Sequence, residues 1–406
     1  MDKVLSAPLL REGMDRKRGV QDASVRGRRV LVRVDFNVPQ HPNGQIADDR
    51  RIREALPTLH HLRAAGARTI LMSHLGRPGG RRDPTYTLRP VAHQLSALLG
   101  QPVPIAGDVV GIEAIQGVAK LANGQFLLLE NLRFHPGEEA NDPAFASQLA
   151  RLGEIFVEEA FGTVHRAHAS TVGVPKLLPA YAGLLVQKEI DQLSPLRHRP
   201  ERPYAALVGG AKVADKLPFL ASFLGRADAL LIGGALSFPF LARLGARLPG
   251  EPVTPALGAA LAEFEERASA AGTRLLLPSD LVIEPHEGAE PAVVPVDAVP
   301  DGAKALDIGP ATVRAFVDAL AGSRTVFWNG PMGRAEDPRF AAGTRGVLAA
   351  LRSIPGHHVA AGGDSARIAQ ELGVSDAFAF VSTGGGAALE YVQGLDLPGL
   401  AVLPDA

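Results

Sequence analysis

Short apolar runs rich in β-branched residues alternate along the chain with longer stretches whose apolar residues return every three or four positions. Residues 30–34 (VLVRV) predict a strand, and 51–65 (RIREALPTLHHLRAA) a helix with one apolar face. Residues 69–72 and 88–99 repeat that pair, and 126–129 and 155–158 add two more strands. The runs end in Gly, Asp, Asn or His and pass into Ala-, Leu- and Arg-rich helical stretches. This rhythm predicts a parallel sheet with helices on both faces.

A second series follows, with strands predicted at 204–208, 229–232, 274–277, 325–328, 358–361 and 379–382. Between the series, residues 181–196 have helical spacing and then meet Pro195, Pro200 and Pro203. They predict a helix joining two α/β domains, with the boundary near residue 190. The Pro- and Gly-rich segments 249–255 and 282–301 read as surface connections. The expected fold is α/β, two Rossmann-like parallel-sheet domains joined by a helix and hinge.

Length and charge narrow the function. At roughly 100–200 residues per domain, two large domains suit the 406 residues. With no cysteine, disulfides, thiolate metal sites and cysteine nucleophiles are excluded. A net charge of −1 makes the chain a poor candidate for a general nucleic-acid coat or an anionic-membrane binder, and 5% aromatic content also fits a nucleic-acid role poorly. The most apolar stretch, 229–242, is too short to span a bilayer, and the charged N-terminus lacks an apolar signal core. The expected compartment is the cytoplasm. No function is assigned to residues 1–13, which precede Met14.

In open α/β sheets ligands bind outside the carboxyl ends of the strands. In the first half those ends carry cations: Arg33, Asp35 and Asn37 on one side of an extended segment, Arg51 opening a helix, then His74 and Arg77, Arg133 and His135, and His165, Arg166 and His168. Glu130, Glu158 and Glu159 are the candidate carboxylates to neutralise them. Taken singly each is more often a surface, capping or packing residue. Their recurrence at four strand ends points to a small, strongly anionic ligand, with Asp35 and Asn37 reading a hydroxyl.

In the second half the strand ends carry glycine pairs: Gly209-Gly210, Gly233-Gly234, Gly362-Gly363 and Gly384-Gly385. Glycine lets backbone approach a ligand, and the following helix start attracts phosphate. No GxxxxGK[ST] is present, nor a GxGxxG after the first strand. Lys212 and Lys216, two of eight lysines, stand four apart on one predicted helical face, where an anion between them would offset their repulsion. Glu336 suits a ribose hydroxyl, and Asp364 either caps a helix or holds a nucleotide-bound magnesium ion.

The segments RVDFNVP (33–39), SHLGRP (73–78), ENLRFH (130–135), GTVHRAH (162–168), GGAKVADK (209–216), WNGPMG (328–333), GGDS (362–365) and STGGG (382–386) occur in family order, and the chain resembles the phosphoglycerate kinases from about residue 19 to 403. The resemblance implies reversible phosphoryl transfer between ATP and 3-phosphoglycerate, giving ADP and 1,3-bisphosphoglycerate, in a cytoplasmic monomer using Mg2+. It implies a triose-binding domain at 1–188, a nucleotide-binding domain at 189–391, and a tail from about 392 to 406 packed back on the first. Substrate residues would be Asp35, Phe36, Asn37, Arg51, His74, Leu75, Gly76, Arg77, Arg133 and Arg166. Nucleotide residues would be Lys212, Lys216, Gly233, Gly234, Asn329, Glu336, Gly362, Gly363, Asp364 and Ser365, with Asp364 on the metal. Arg51, Lys212, Gly362 and Gly385 would serve catalysis, and Glu189 and Ser382-Thr383 are hinge candidates. Arg334-Ala335 stands where the family usually has Val-Phe, and Ala235-Leu236 where Gly-Met is usual. The rival readings are another acyl-phosphate-forming kinase and a two-domain protein that closes on an anion without chemistry.

Overall fold

The computed structural model describes residues 15–248 and 253–406; the arm at 1–13 and the first four residues of the 249–255 connection lie outside them. The chain divides into two units, one running to Ser194 and resuming with Leu395–Ala406, the other Pro195–Gly394. These divisions fall a few residues past the expected limits.

In the first unit, Val30, Leu31 and Val32 are buried on both faces of β1 (Arg29–Arg33), as parallel strands covered by helices must be. β2 (Arg68–Met72), β3 (Phe126–Leu128), β4 (Ile155–Glu158) and β5 (Ala180–Ala182) complete a five-stranded parallel sheet in the order β3-β2-β1-β4-β5. Leu31 sits in register between Ile70 and Phe156. α1 (Arg50–Ala64) buries Ile52, Ala55, Leu59 and Leu62, one stripe at helical spacing. α2 (Arg89–Leu99), α3 (Ile112–Lys120) and α4 (Pro143–Ala150) follow. Residue 181, expected to open the linking helix, lies instead in β5; the helix is α5 (Leu184–His198), which carries the chain past Ser194.

The second unit has β6 (Tyr204–Val208), β7 (Ala229–Ile232) and β8 (Arg274–Leu276), with α6 (Val213–Ala221), α7 (Phe238–Arg243) and α8 (Pro255–Ala270). β9 (Asp280–Glu284), β10 (Ala292–Pro295) and β11 (Lys304–Ile308) form an antiparallel sheet over Leu281, Ile283 and Ala303. The reading of 282–301 as surface connection is therefore corrected. Then come α9 (Pro310–Leu320), β12 (Thr325–Asn329), α10 (Ala342–Ala350), β13 (His357–Ala360), α11 (Gly363–Glu371), β14 (Phe380–Val381) and α12 (Gly386–Gln393). The large parallel sheet runs β14-β13-β12-β6-β7-β8.

Both parallel sheets reverse direction of growth beside their first strand, between β1 and β4 and between β6 and β12. Such reversals leave crevices at the carboxyl ends of those strands. Residues 395–406, with α13 (Pro398–Ala401), return to the first unit: Gly399 N donates to Val164 O at 2.7 Å and Ala406 N to Arg16 O at 3.1 Å.

Candidate functional site

In the first unit the segments leaving β1, β2, β3 and β4 converge. Arg33, 1% exposed, donates from Nε to Ser170 Oγ at 2.7 Å and from Nη1 to Val34 O at 2.5 Å. Its Nη2 lies 3.2 Å from His74 Nδ1. A guanidinium only donates, so His74 Nδ1 accepts and its ring proton sits on Nε2. Arg51 Nη1 pairs with Asp35 Oδ2 at 2.5 Å. Gly76 joins three segments: its N–H donates to Asn37 Oδ1 at 3.0 Å, and its carbonyl accepts from Arg133 Nη1 at 2.8 Å. At φ 62°, with the Tyr86 ring where a Cβ would go, only glycine suits the position. Phe36 and Leu75 are buried beside these groups, and Phe36 N donates to Ser73 Oγ at 2.9 Å.

Burial holds the His74 ring well below its ordinary proton affinity, and Arg33, Arg133, Arg51 and His168 push it the same way. His168 is held down to about 4, by burial first and then by Arg33, Arg133 and Arg166. Both rings are therefore neutral at pH 7, and the guanidinium groups carry the positive charge. The expected counter-charges do not cancel it. Glu130 accepts from Thr87 Oγ1, Leu88 N and Asn131 N. Glu159, buried, accepts from Leu185 N at the start of α5. Burial pushes Glu158 up to about 8 despite Arg33, and its Oε2 has no partner. Arg133 instead lies 3.1 Å from Glu139.

Not every candidate joins this cluster. Arg77 is exposed and is not among the main causes of the shifts of His74 or His168. His135 stacks on Phe145 at 3.9 Å and accepts from Gly137 N, a packing role. Arg166 is exposed at the cluster's edge, acting on His168 through its charge, with its Nε 3.2 Å from His165 Nε2. The sequence reading missed Glu138 and Ser170: Ser170 donates from N and Oγ to the buried Glu138 at 3.0 and 2.6 Å while accepting from Arg33. Neither lies in a motif whose chemistry announces it.

In the second unit the strand-end loops pack backbone to backbone. A Cβ on Gly209 would stand 2.6 Å from Met332 Cε, one on Gly233 2.5 Å from Met332 Sδ, and one on Gly234 3.0 Å from Gly210 O. Gly362, at φ 109°, leaves room for Asn329 Nδ2, which donates to Ala361 O at 2.8 Å. Lys216 Nζ donates to Gly209 O at 2.7 Å and to Asn329 Oδ1 at 3.2 Å. Burial lowers its proton affinity, an effect opposed by Asp364. Ser365 Oγ accepts from Gly330 N at 2.9 Å.

Lys212 departs from expectation. It precedes α6 at φ 54°, exposed, and so shares no helical face with Lys216. None of α6, α11 and α12 has a side-chain cap, so their first-turn amides and positive dipole ends suit an anion. Gly363 opens α11, and Gly385 precedes α12 at φ 55°. Asp364 does not cap its helix; its side chain is 83% exposed, 3.8 Å from Arg367. Glu336 pairs with Arg334 at 3.4 Å. Among the described residues no group of three or more acidic, His or Cys side chains forms a metal cage.

Guanidinium groups at the strand ends of one parallel sheet, and bare amides with a lysine at those of another, are features of an α/β phosphotransferase. The chain belongs to the phosphoglycerate kinase family, whose model matches residues 20–395. It is 48% identical over 391 residues to the phosphoglycerate kinase of Rubrobacter xylanophilus, covering 96% of this chain and 98% of that one. The phosphoglycerate kinase of Parafrankia is 49% identical over 406 residues, covering 95% and 99%. The solved phosphoglycerate kinase of Coxiella burnetii superposes with a TM-score of 0.85 at 35% identity, covering 95% of this chain and 98% of that one. The protein is thus a kinase that exchanges a phosphoryl group between ATP and the carboxylate of 3-phosphoglycerate, a glycolytic step. Among the described residues no helix is long and apolar enough to cross a membrane.

Proposed function

We propose that the first unit holds 3-phosphoglycerate or 1,3-bisphosphoglycerate and the second holds MgATP or MgADP. The observation that carries this is the convergence of Arg33, Arg51 and Arg133 around His74, where the guanidinium groups add to burial in keeping the rings of His74 and His168 neutral. Asp35 and Asn37 read the glycerate hydroxyl and carboxyl end, within a frame formed by Phe36, Leu75 and Gly76. His74, Arg77, Arg133 and Arg166 hold the phosphate that does not move, and Arg51 meets the one that does. Arg51 now pairs with Asp35, so substrate binding repartitions that contact.

In the second unit Lys212 and Lys216, with the amides after Gly233, Gly234, Gly362 and Gly363, take the nucleotide phosphates. Asn329 and Ser365 keep those loops in place, and Glu336 takes the ribose. Mg2+ binds through few protein carboxylates and several phosphate oxygens and waters. A single exposed, uncapped Asp364 and the lack of a protein cage among the described residues fit that habit. When bound, the ion neutralises charge on the phosphates.

The acceptor carboxylate is ionised at neutral pH, so no general base is needed. Direct in-line transfer then requires the two anions to be brought together, which hinge movement around Glu189 and Ser382-Thr383 supplies. Arg51, Lys212 and the helix starts at Gly362 and Gly385 stabilise the charge in flight. The enzyme works as a cytoplasmic monomer. A coupled assay tests the reading: turnover is expected with 3-phosphoglycerate and none with acetate or aspartate. Turnover with either of those would assign another acyl-phosphate kinase, and no turnover at all a binding protein.

A further inference from the structure

Asp307 lies at an irregularity in β11, where the pairing with β9 shifts register between Ala305 and Asp307. Its side chain is buried. Oδ1 accepts from Ile308 N at 2.9 Å, and Oδ2 from Gly343 N at 2.7 Å in the first turn of α10. Gly333 packs against the same group: a Cβ there would stand 2.6 Å from Asp307 Cα and overlap Oδ1. A Cβ on Gly343 would overlap Oδ1 as well. The carboxylate is wedged between two positions that admit no side chain.

The backbone around it is tied to the same elements. Arg334 N donates to Leu306 O at 2.6 Å, and Met332 N to Thr344 Oγ1 at 3.0 Å. These ties fix the loop 330–336, which begins after Asn329, the partner of Lys216, and ends on Glu336.

A buried carboxylate without a cation is costly, and only its hydrogen bonds to the two amides offset that cost. Burial pushes Asp307 up to about 7, against the pull of the Gly343 and Ile308 amides. Charged neighbours on the surrounding elements are engaged elsewhere. On β9, Asp280 accepts from Ala311 N and Thr312 N, and Glu284 lies 3.7 Å from Lys304 of β11 and 3.5 Å from Arg339. In the loop, Arg334 faces Glu336. Arg314 and Asp318 of α9 and Arg345 of α10 take no part in the shift.

We propose that Asp307 is a positioning residue for the nucleotide: its carboxylate braces β11 against the start of α10, Gly333 of loop 330–336 packs on that brace, and the brace so sets where Glu336 stands. This rests on the reading of that loop as ribose-binding. Asp307→Asn keeps the volume but loses an acceptor. It is expected to raise the KM for ADP about tenfold, the effect of one hydrogen bond to a charged group, with kcat and the KM for 1,3-bisphosphoglycerate within about twofold. The gap between wild type and variant widens as pH rises from about 6 to about 8, because only the ionised clamp accepts both amides. Gly333→Ala, which forces the loop off an intact carboxylate, gives the same nucleotide-selective loss and carries the test should Asp307→Asn not fold.

In a Glu336→Ala background neither substitution has a further effect on ADP affinity measured by calorimetry. The proposal is overturned by an unchanged KM for ADP in both variants, by equal losses for both substrates, by a gap independent of pH, or by an undiminished effect in the Glu336→Ala background. If Glu336→Ala itself leaves ADP affinity intact, the ribose reading of the loop fails and takes the proposal with it. If Glu336→Ala weakens ADP while Asp307→Asn does not, the proposal alone fails.

Discussion

At the strand ends of the first unit, the groups proposed to meet the anion stand on side chains packed into the protein: Arg33 and His74 are 1% and 4% exposed, and Arg133 is 5% exposed. At those of the second unit they are stretches of glycine backbone, with an exposed Lys212, a half-buried Lys216 and a solvent-facing Asp364. The first design needs a supporting shell, because a buried guanidinium must have its donors satisfied and its repulsion from neighbours offset. Ser170, Glu138 and the Gly76 carbonyl provide it. The second design needs room rather than counter-charge, so its weak points are Cβ atoms. Charge deletions should therefore dominate losses in the first unit, and small additions of volume should matter more in the second.

The sharpest way to break this contrast is Arg51→Ala. It is expected to lower kcat roughly a thousandfold, in the range of other arginines that stabilise phosphoryl transfer, while ADP affinity by calorimetry stays nearly unchanged. A near-normal kcat would remove Arg51 from the reaction. Next comes Lys216→Ala, which removes one charge-assisted contact to a phosphate and should weaken ADP binding by roughly ten- to a hundredfold without altering the KM for 3-phosphoglycerate. Unchanged ADP affinity would make Lys216 a brace for Gly209 and Asn329 only.

Gly76→Ala sharpens the comparison from the other side, since it adds volume to the charge-built unit. The left-handed backbone and the Tyr86 ring should make it destabilising by roughly 1–3 kcal/mol in thermal unfolding. The KM for 3-phosphoglycerate rises and ADP affinity stays the same. An unshifted Tm would show that the Gly76 peptide is not held as described.

The smallest effect is expected at Glu158. Its proton affinity is raised on folding to about 8. The folded state therefore binds the proton more tightly than the unfolded chain, and stability falls as pH rises from the ordinary carboxylate range towards about 8. Glu158→Gln removes this contribution, so the loss of Tm between about pH 5 and about pH 9 should be shallower in the variant. Equal slopes would mean that Glu158 is ionised in both states.

Much of the parallel architecture was legible because buried parallel strands are continuous apolar runs: residues 30–34 were expected where Arg29–Arg33 pairs, and 204–208 matches β6. The antiparallel sheet of the second unit was not. Its segment 282–301 mixes Pro, Gly and charged residues, and β10 alternates half-buried with exposed positions over a small core. β5, at three residues, is too short for any period to register. Among site groups, a basic residue after a strand could be read directly, but its environment could not. Nothing in the order of residues tells that Arg33 turns inward to His74 while Arg77 stays outside. Nor does spacing reveal that Lys212 takes a left-handed backbone before α6, because an apolar period marks a helix's face and not its first residue. Asp307 escaped for the same reason: its partners are amides and glycines brought from three separate elements.

The return of residues 395–406 to the first unit has a consequence for biosynthesis. Gly399 lies so close to Val164 that a Cβ would stand 2.8 Å from its Cα, and Arg18 N donates to Pro404 O at 2.9 Å. A ribosome delivers these closing pieces only after the whole intervening insertion has emerged. The portion translated first is thus the last to be sealed, and the nascent chain can complete its middle before its beginning.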